Sequence, residues 1–225
     1  MRKIFFLFML LYAGICPAQS INSYGLAIID DVADYKKTVH KNNDNELVEI
    51  KNYIPNIKLD IRYAGTNNFS KKAVYNQARA FARLPVVKAL ALVQQELNQK
   101  GLSLKIYDAY RPYAVTVEFF ETVSDKNFVA HPKNGSRHNR GCAIDLTIVK
   151  LKNGRELKMP TSYDSFAPEA SPDFKDLPVR VIRNRDLLID LMSKHGFSVL
   201  YNEWWHFDFR DWKQFDLMDI PFKQL

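Results

Sequence analysis

Residues 136–145, SRHNRGCAID, are the stretch that decides the fold, because they lead into a candidate strand with two different faces. In a strand over residues 141–148, alternate side chains would point to opposite sides of a sheet. One side would carry the apolar residues Cys142, Ile144 and Leu146. The other side would carry Ala143, Asp145 and Thr147, which brings a carboxylate close to the preceding His138.

A second segment, EWWH at residues 203–206, places a glutamate three positions before a histidine. The sequence predicts a strand from about Trp204 through Phe209. Because residues three apart on a regular strand face opposite sides, we expect Glu203 in the turn just before this strand, from where it can bend back toward His206. Trp204 and Trp205 are expected to pack in the core and to form a pocket wall.

Together the two segments supply the parts of a metal site. Two imidazoles, His138 and His206, and the carboxylate of Asp145 can bind zinc tetrahedrally and leave one position open for water. Glu203 could then accept the proton of that water. Because two imidazole ligands suit a borderline-soft ion, zinc is favoured over magnesium or calcium. The sequence therefore predicts a metallohydrolase with one zinc ion per chain.

The chain has three further histidines, which we expect to be structural or surface residues. His40 lies in a polar stretch, and His131 precedes a proline in a loop. His195 falls in the last turn of a predicted helix, where a cation complements the helix dipole.

Helical spacing and alternation predict the remaining elements. Helices are expected from residue 84 to a glycine cap at Gly101, over about 114–123, and over about 179–194. Extended segments are expected over 55–63 and 102–107, whereas residues 19 to about 50 look polar and irregular. Because helices and strands are mixed, and consecutive strands are not evidently parallel, the predicted class is α+β with a single domain.

The N-terminus resembles a secretory signal peptide. Arg2 and Lys3 precede an apolar run, and Ala18 offers a cleavage site that would remove residues 1–18. A lipoprotein anchor on Cys16 is the alternative, and a membrane-spanning helix is disfavoured because the run is too short. Export across the inner membrane, into the periplasm, would follow. Cys142 would then be the only cysteine, so the fold cannot depend on an internal disulfide.

Composition is that of a soluble globular protein, with 47% hydrophobic and 25% charged residues. The net charge of +7 would fall to +5 once residues 1–18 were removed. Because this charge is spread along the chain without a basic run, no nucleic-acid partner is predicted, and no stable membrane insertion is expected after signal cleavage. The oligomeric state is not predicted.

The segments at 136–145 and 203–206 resemble the SxHxxGxAxD and ExxH motifs of the VanX-type D-alanyl-D-alanine dipeptidases. The resemblance extends from about Asp60 to Phe209. It implies a compact α+β domain with a central, mostly antiparallel sheet and flanking helices, of the kind shared with the Hedgehog signalling domain. It also implies zinc-dependent hydrolysis of a small dipeptide by a domain over 56–225, preceded by an extension over 19–55, with Glu203 as the catalytic base.

Further matches imply the roles of four more residues. Arg111 lies in DAYRP at residues 108–112, which resembles a DGYRP stretch whose arginine stabilises the oxyanion; Ala109 replaces the glycine. Asp164 would pair with the substrate ammonium, and Tyr63 and Ser136 would help to bind the same amino end.

Three alternatives remain at this point. A D,D- or L,D-carboxypeptidase acting on peptidoglycan stems would share the metal ligands, and Asp164 is the residue that distinguishes the two activities. A non-catalytic zinc domain that binds a partner is disfavoured by the presence of both Glu203 and Arg111. A cysteine hydrolase using Cys142 and His138 is disfavoured because the thiol should face the core, where it would be inert.

Overall fold

The computed structural model describes residues 21–123, 126 and 129–225. The predicted signal peptide, residues 1–18, and Cys16 lie outside these residues. The helices are α1 (Val32–Lys41), α2 (Ile50–Tyr53), α3 (Leu84–Gln99), α4 (Tyr113–Thr122) and α5 (Val179–Lys194). The strands are β1 (Leu47–Glu49), β2 (Lys58–Leu59), β3 (Phe81–Arg83), β4 (Leu102–Asp108), β5 (Ala143–Lys150), β6 (Phe197–Leu200) and β7 (Glu203–Phe209). No helix in the described part of the chain is long and apolar enough to cross a membrane.

The central sheet has five strands in the order β2-β4-β5-β7-β6. Only β2 and β4 run parallel, and every other neighbouring pair is antiparallel. Helices α3 and α5 pack against the sheet and against each other. The α+β class with a mostly antiparallel sheet is therefore confirmed.

The predicted helices and strands near the site are found with small changes in length. Pro85 lies in the first turn of α3, and Val86, Leu90, Val93 and Leu97 turn toward the core as their spacing predicts. The extended segment predicted over 55–63 forms a strand only at β2, because a short 3-10 turn begins at Arg62.

Strand register decides where the site forms. Asp145 on β5 lies directly opposite His206 on β7. On the other side of β7, Val199 pairs with Phe207, but the next residue, Leu200, pairs with Glu203. The three residues of β7 between Glu203 and Phe207 thus have no partner on β6 and form a bulge. The bulge changes the direction in which the side chain of Glu203 points.

This bulge corrects the prediction for Glu203. The residue is the first of β7 and does not lie in the preceding turn. It still reaches the same side as His206 because the bulge breaks the regular alternation of the strand.

Residues 21–50 are not irregular, contrary to expectation. Asp31 caps α1 by accepting hydrogen bonds from the N–H groups of Ala33 and Asp34. Tyr35 is the buried residue of this helix, and its hydroxyl accepts a hydrogen bond from the N–H of Leu47. The helix was missed because its single buried side chain gives almost no apolar periodicity.

Strand β5 is buried on both faces from Ala143 to Val149, whereas the sequence predicted one apolar face only. Cys142, directly before the strand, is fully buried in the core, as predicted. The opposite face, which carries Asp145 and Thr147, is covered as well.

Candidate active site

The three predicted metal ligands meet at one point. The separations are 3.2 Å between His138 Nε2 and His206 Nδ1, 3.4 Å between His138 Nε2 and Asp145 Oδ1, and 3.1 Å between His206 Nδ1 and Asp145 Oδ1. A tetrahedral zinc ion with bonds of about 2.0–2.1 Å would place its ligand atoms about 3.3 Å apart. The triangle of ligand atoms therefore fits such an ion.

The chemistry of the donors supports the same conclusion. All three residues are buried, and Asp145 Oδ1 has no aligned hydrogen-bond partner among the described residues. A buried carboxylate oxygen without a partner is costly, and a bound cation would remove that cost. His138, Asp145 and His206 are thus able to hold a metal ion.

Each ligand is oriented by a partner behind it. His138 donates from Nδ1 to the carbonyl of Ala109 at 2.7 Å, which leaves Nε2 free to coordinate. His206 donates from Nε2 to Asp208 Oδ1 at 2.9 Å, which leaves Nδ1 free. Asp145 Oδ2 accepts a hydrogen bond of 2.9 Å from the hydroxyl of Tyr163. Sequence reasoning missed all three partners.

The charges make the cluster a strong cation site. Burial lowers the pKa of His206, but the carboxylates of Asp145 and Asp208 outweigh it and raise that pKa to about 10. Burial likewise opposes ionisation of Asp145, yet His138 and His206 hold its pKa well below its usual range. The cluster therefore binds positive charge tightly, either as a proton or as a metal ion.

Glu203 lies beside the ligands, as predicted. Its Oε2 is 3.9 Å from His206 Nδ1, and its side chain is largely buried. Burial raises the pKa of this carboxyl, against the lowering effect of His206. A carboxyl whose pKa is raised holds a proton more readily than an exposed glutamate, which suits a group beside a metal site that must accept a proton and return it.

Arg111 is fixed at the same place. Its Nε and Nη2 both donate to Asp108 Oδ2, at 3.0 and 2.7 Å. Its guanidinium carbon lies 5.2 Å from the centroid of the Tyr63 ring and 5.0 Å from that of the Phe119 ring, and its Nη2 is 4.0 Å from Asp145 Oδ2. A buried cation is thus held rigidly beside the metal ligands.

Asp164 and Tyr63, 101 residues apart in sequence, are in contact. Asp164 Oδ1 accepts from the Tyr63 hydroxyl at 3.1 Å, and its Oδ2 accepts from the N–H of Phe69 at 3.4 Å. Asp164 has a left-handed backbone, with φ of +61°, a conformation that costs energy and often occurs at functional positions. Burial and the charge of Asp145 raise its pKa to about 7.

Ser136 stabilises the loop that carries His138. Its hydroxyl accepts a hydrogen bond of 3.2 Å from the N–H of His138, and its own N–H donates to Asn139 Oδ1 at 2.7 Å. It also borders the cavity described next.

All eight predicted site residues line one cavity of about 280 Å³. Its walls include the aromatic side chains Phe69, Phe119, Phe166 and Trp205. This volume lies near the lower end of the roughly 300–1,000 Å³ that small-molecule pockets occupy. Trp205 forms part of the wall, as expected, whereas Trp204 is buried and donates to Thr161 Oγ1 at 3.0 Å.

The remaining candidates lie elsewhere. His40 is exposed on α1, His131 accepts a hydrogen bond from the N–H of Lys133, and His195 pairs with Glu96 at 2.6 Å. Cys142 is buried and does not border the cavity. Burial raises the pKa of its thiol to about 12, which contradicts the cysteine-hydrolase alternative.

Comparison with known proteins identifies relatives of this chain. A family model described as D-ala-D-ala dipeptidase, Peptidase_M15, matches residues 43–222. The D-alanyl-D-alanine dipeptidase of Escherichia coli (strain K12) is 34% identical over 163 residues, which cover 72% of this chain and 84% of that protein. The D-alanyl-D-alanine dipeptidase of Streptomyces coelicolor is 26% identical over 181 residues, which cover 70% and 88%. That of Enterococcus faecium is 26% identical over 179 residues, which cover 69% and 87%.

Proposed function

The chain belongs to the D-Ala-D-Ala dipeptidase family of M15 peptidases, which are metal-dependent enzymes, and we propose that it hydrolyses D-alanyl-D-alanine to two molecules of D-alanine with zinc as the metal. One observation carries this proposal. The three candidate metal ligands line one cavity together with Glu203 and Arg111, which suit peptide hydrolysis, and with the pair Asp164–Tyr63, which suits a free ammonium group.

The ligand set favours zinc. Two imidazoles and one carboxylate form a three-ligand set of mixed nitrogen and oxygen donors, typical of catalytic zinc. Zinc bound there would polarise the scissile carbonyl and make water a better nucleophile at neutral pH. His138, Asp145 and His206 would hold it, each oriented by its own hydrogen bond.

Glu203 is proposed as the general base and acid. It would take a proton from the attacking water and deliver it to the leaving amine. The partly buried position of its carboxylate, with a raised pKa, suits both directions of transfer.

Arg111 is proposed to stabilise the negative charge that develops on the carbonyl oxygen. Because Asp108 and two aromatic rings already hold the guanidinium, little reorganisation is needed when that charge appears.

Asp164 is proposed to select a free amino terminus. An ammonium group placed against its carboxylate would neutralise the charge, whereas an acylated nitrogen would leave the carboxylate without an opposite charge. This selection favours dipeptides over the stem peptides that a carboxypeptidase would cut. Tyr63, which already donates to Asp164, would fix the orientation of the carboxylate.

We also propose that the enzyme acts outside the cytoplasm on dipeptides released from the cell wall. The support is the N-terminal sequence, in which Arg2 and Lys3 precede an apolar run and Ala18.

The proposal is tested with a substrate panel of D-Ala-D-Ala, N-acetyl-D-Ala-D-Ala and a stem pentapeptide. We expect rapid cleavage of the free dipeptide alone, loss of activity with a chelator, and recovery with added zinc. Glu203→Gln serves as the control, since it should retain zinc without turnover. Equal cleavage of the N-acetylated or pentapeptide substrate would replace the dipeptidase proposal with a carboxypeptidase.

A further inference from the structure

A dipeptide presents three groups that need a partner: its ammonium, its scissile carbonyl and its C-terminal carboxylate. Asp164 and Arg111 account for the first two in the proposed function. Among the described residues that line the cavity, the lysine and arginine side chains are those of Arg111 and Arg137. We infer that Arg137 binds the C-terminal carboxylate of the substrate, an inference that rests on the proposed function.

Arg111 is not available for this task. Two of its nitrogens donate to Asp108, and its side chain, only 12% exposed, lies beside Asp145. Its position next to the metal ligands suits the scissile carbonyl, and the carboxylate lies one residue further along the substrate.

Arg137 has the free hydrogen-bonding capacity that a carboxylate needs. Its side chain is 41% exposed, and its Nε lies 3.5 Å from Asp208 Oδ2, beyond a normal hydrogen bond. This buried Nε has no hydrogen-bond partner among the described residues. Its guanidinium carbon lies 4.9 Å from the centroid of the Trp212 ring. Because Nε is buried, the terminal nitrogens Nη1 and Nη2 are the pair that would bind a carboxylate with two hydrogen bonds.

Arg137 and Asp164 both line the cavity but differ in their further surroundings. Arg137 borders an adjoining groove of about 280 Å³, which it shares with Gly135, Ser136 and Trp212. The residues that contact Asp164, Tyr63 and Phe69, do not border that groove. An extended dipeptide with its ammonium at Asp164 and its scissile bond at the metal would therefore direct its carboxylate toward Arg137.

The experiment compares D-Ala-D-Ala with its C-terminal amide, which lacks the negative charge. Wild-type enzyme, zinc-loaded, is expected to prefer the free acid over the amide in kcat/KM. Arg137→Ala should raise KM for the acid by about tenfold or more, because a charge-assisted, two-bond contact is lost, while kinetics with the amide change little. Arg137→Lys should keep part of the preference, since the charge remains without the planar donor pair.

Lys213→Ala is the matched control. Lys213 also lies over the ring of Trp212, at 5.5 Å, but it does not line the cavity. It should leave the ratio of acid to amide unchanged. Zinc content and melting temperature are measured for every variant, so that loss of folding is recognised.

The outcomes separate the two proposals. A smaller acid-to-amide ratio in Arg137→Ala supports the inference. If kcat/KM stays the same for both substrates, or falls by the same factor for both, the acid-to-amide ratio is unchanged, and the inference alone is overturned. If wild-type enzyme cleaves neither substrate, the proposed function fails and the inference with it.

Discussion

Replacement of Asp208 tests whether the partners behind the ligands set metal affinity. Asp208 accepts a hydrogen bond of 2.9 Å from Nε2 of His206, and its side chain is only 13% exposed, so water cannot readily take its place. A hydrogen bond to a charged group contributes about 1.5–3 kcal/mol. At about 1.4 kcal/mol for each tenfold change, Asp208→Ala should weaken zinc binding about 10–100-fold, in line with the usual effect of such partners.

Asp208→Asn should have a smaller effect, near the lower end of that range. Its amide oxygen can still accept the hydrogen bond and hold Nδ1 toward the metal, but the negative charge is lost. The expected order of zinc affinity is therefore wild type, then Asn, then Ala.

The assay is competition for zinc between the purified protein and a chromogenic chelator at fixed pH. Because it measures binding without turnover, an effect on substrate contacts does not enter. Asp211→Asn is the control, since Asp211 is an exposed acid that pairs with Arg210 and lies outside the cavity. Zinc affinity of Asp208→Ala within about threefold of wild type would refute the reasoning.

Four further results are expected. Glu203→Gln should retain zinc, measured by metal analysis, and lose about 10²–10⁴-fold in kcat; near-normal turnover would assign the proton to another group. Asp164→Asn should raise KM for D-Ala-D-Ala with unchanged zinc content, and an unchanged KM would remove Asp164 from the ammonium site. In wild type, KM should fall as the pH rises through about 7, because Asp164 must lose its proton to bind ammonium; a KM that is flat in pH would contradict this. Cys142→Ser should stay active and lose about 1–3 kcal/mol of stability in denaturant titration, because a hydroxyl is buried in place of a thiol; inactivity with intact folding and zinc would revive a thiol mechanism.

The site residues that could be predicted from the sequence are those that lie close to another functional residue within one short segment. His138 with Asp145, and Glu203 with His206, each stand within a few residues of one another, and the resemblance then supplied Tyr63 and Asp164. The structure brings all of them to one cavity.

The partners of the ligands could not be predicted in the same way. Tyr163 and the carbonyl of Ala109 reach the ligands only because of where separate segments lie in the fold. Asp208, however, could have been predicted from the sequence as a partner of His206. It stands two residues after His206 on the same strand, so both side chains point to the same face.

In the fold, too, elements with a regular local pattern were predicted, whereas features that depend on contacts between distant segments were not. Helices α3 and α5 have apolar faces with regular spacing, and both were predicted within a few residues. Strand β6 was missed because it has only four residues, and the bulge at Glu203 was missed because it depends on how β6 and β7 pair. Cross-strand pairing depends on the patterns of both strands and on the turn between them, so the sequence of β7 alone does not determine it.

The pairing of Asp145 with His206 also ties metal binding to folding. The two ligands lie 61 positions apart in sequence and come together only when β5 and β7 have paired, so the unfolded chain offers no comparable site. A metal ion that binds only the native state adds about 1.4 kcal/mol to the unfolding free energy for each tenfold excess over its dissociation constant. Metal supply would then control how much of the enzyme survives proteolysis as well as how fast each molecule works.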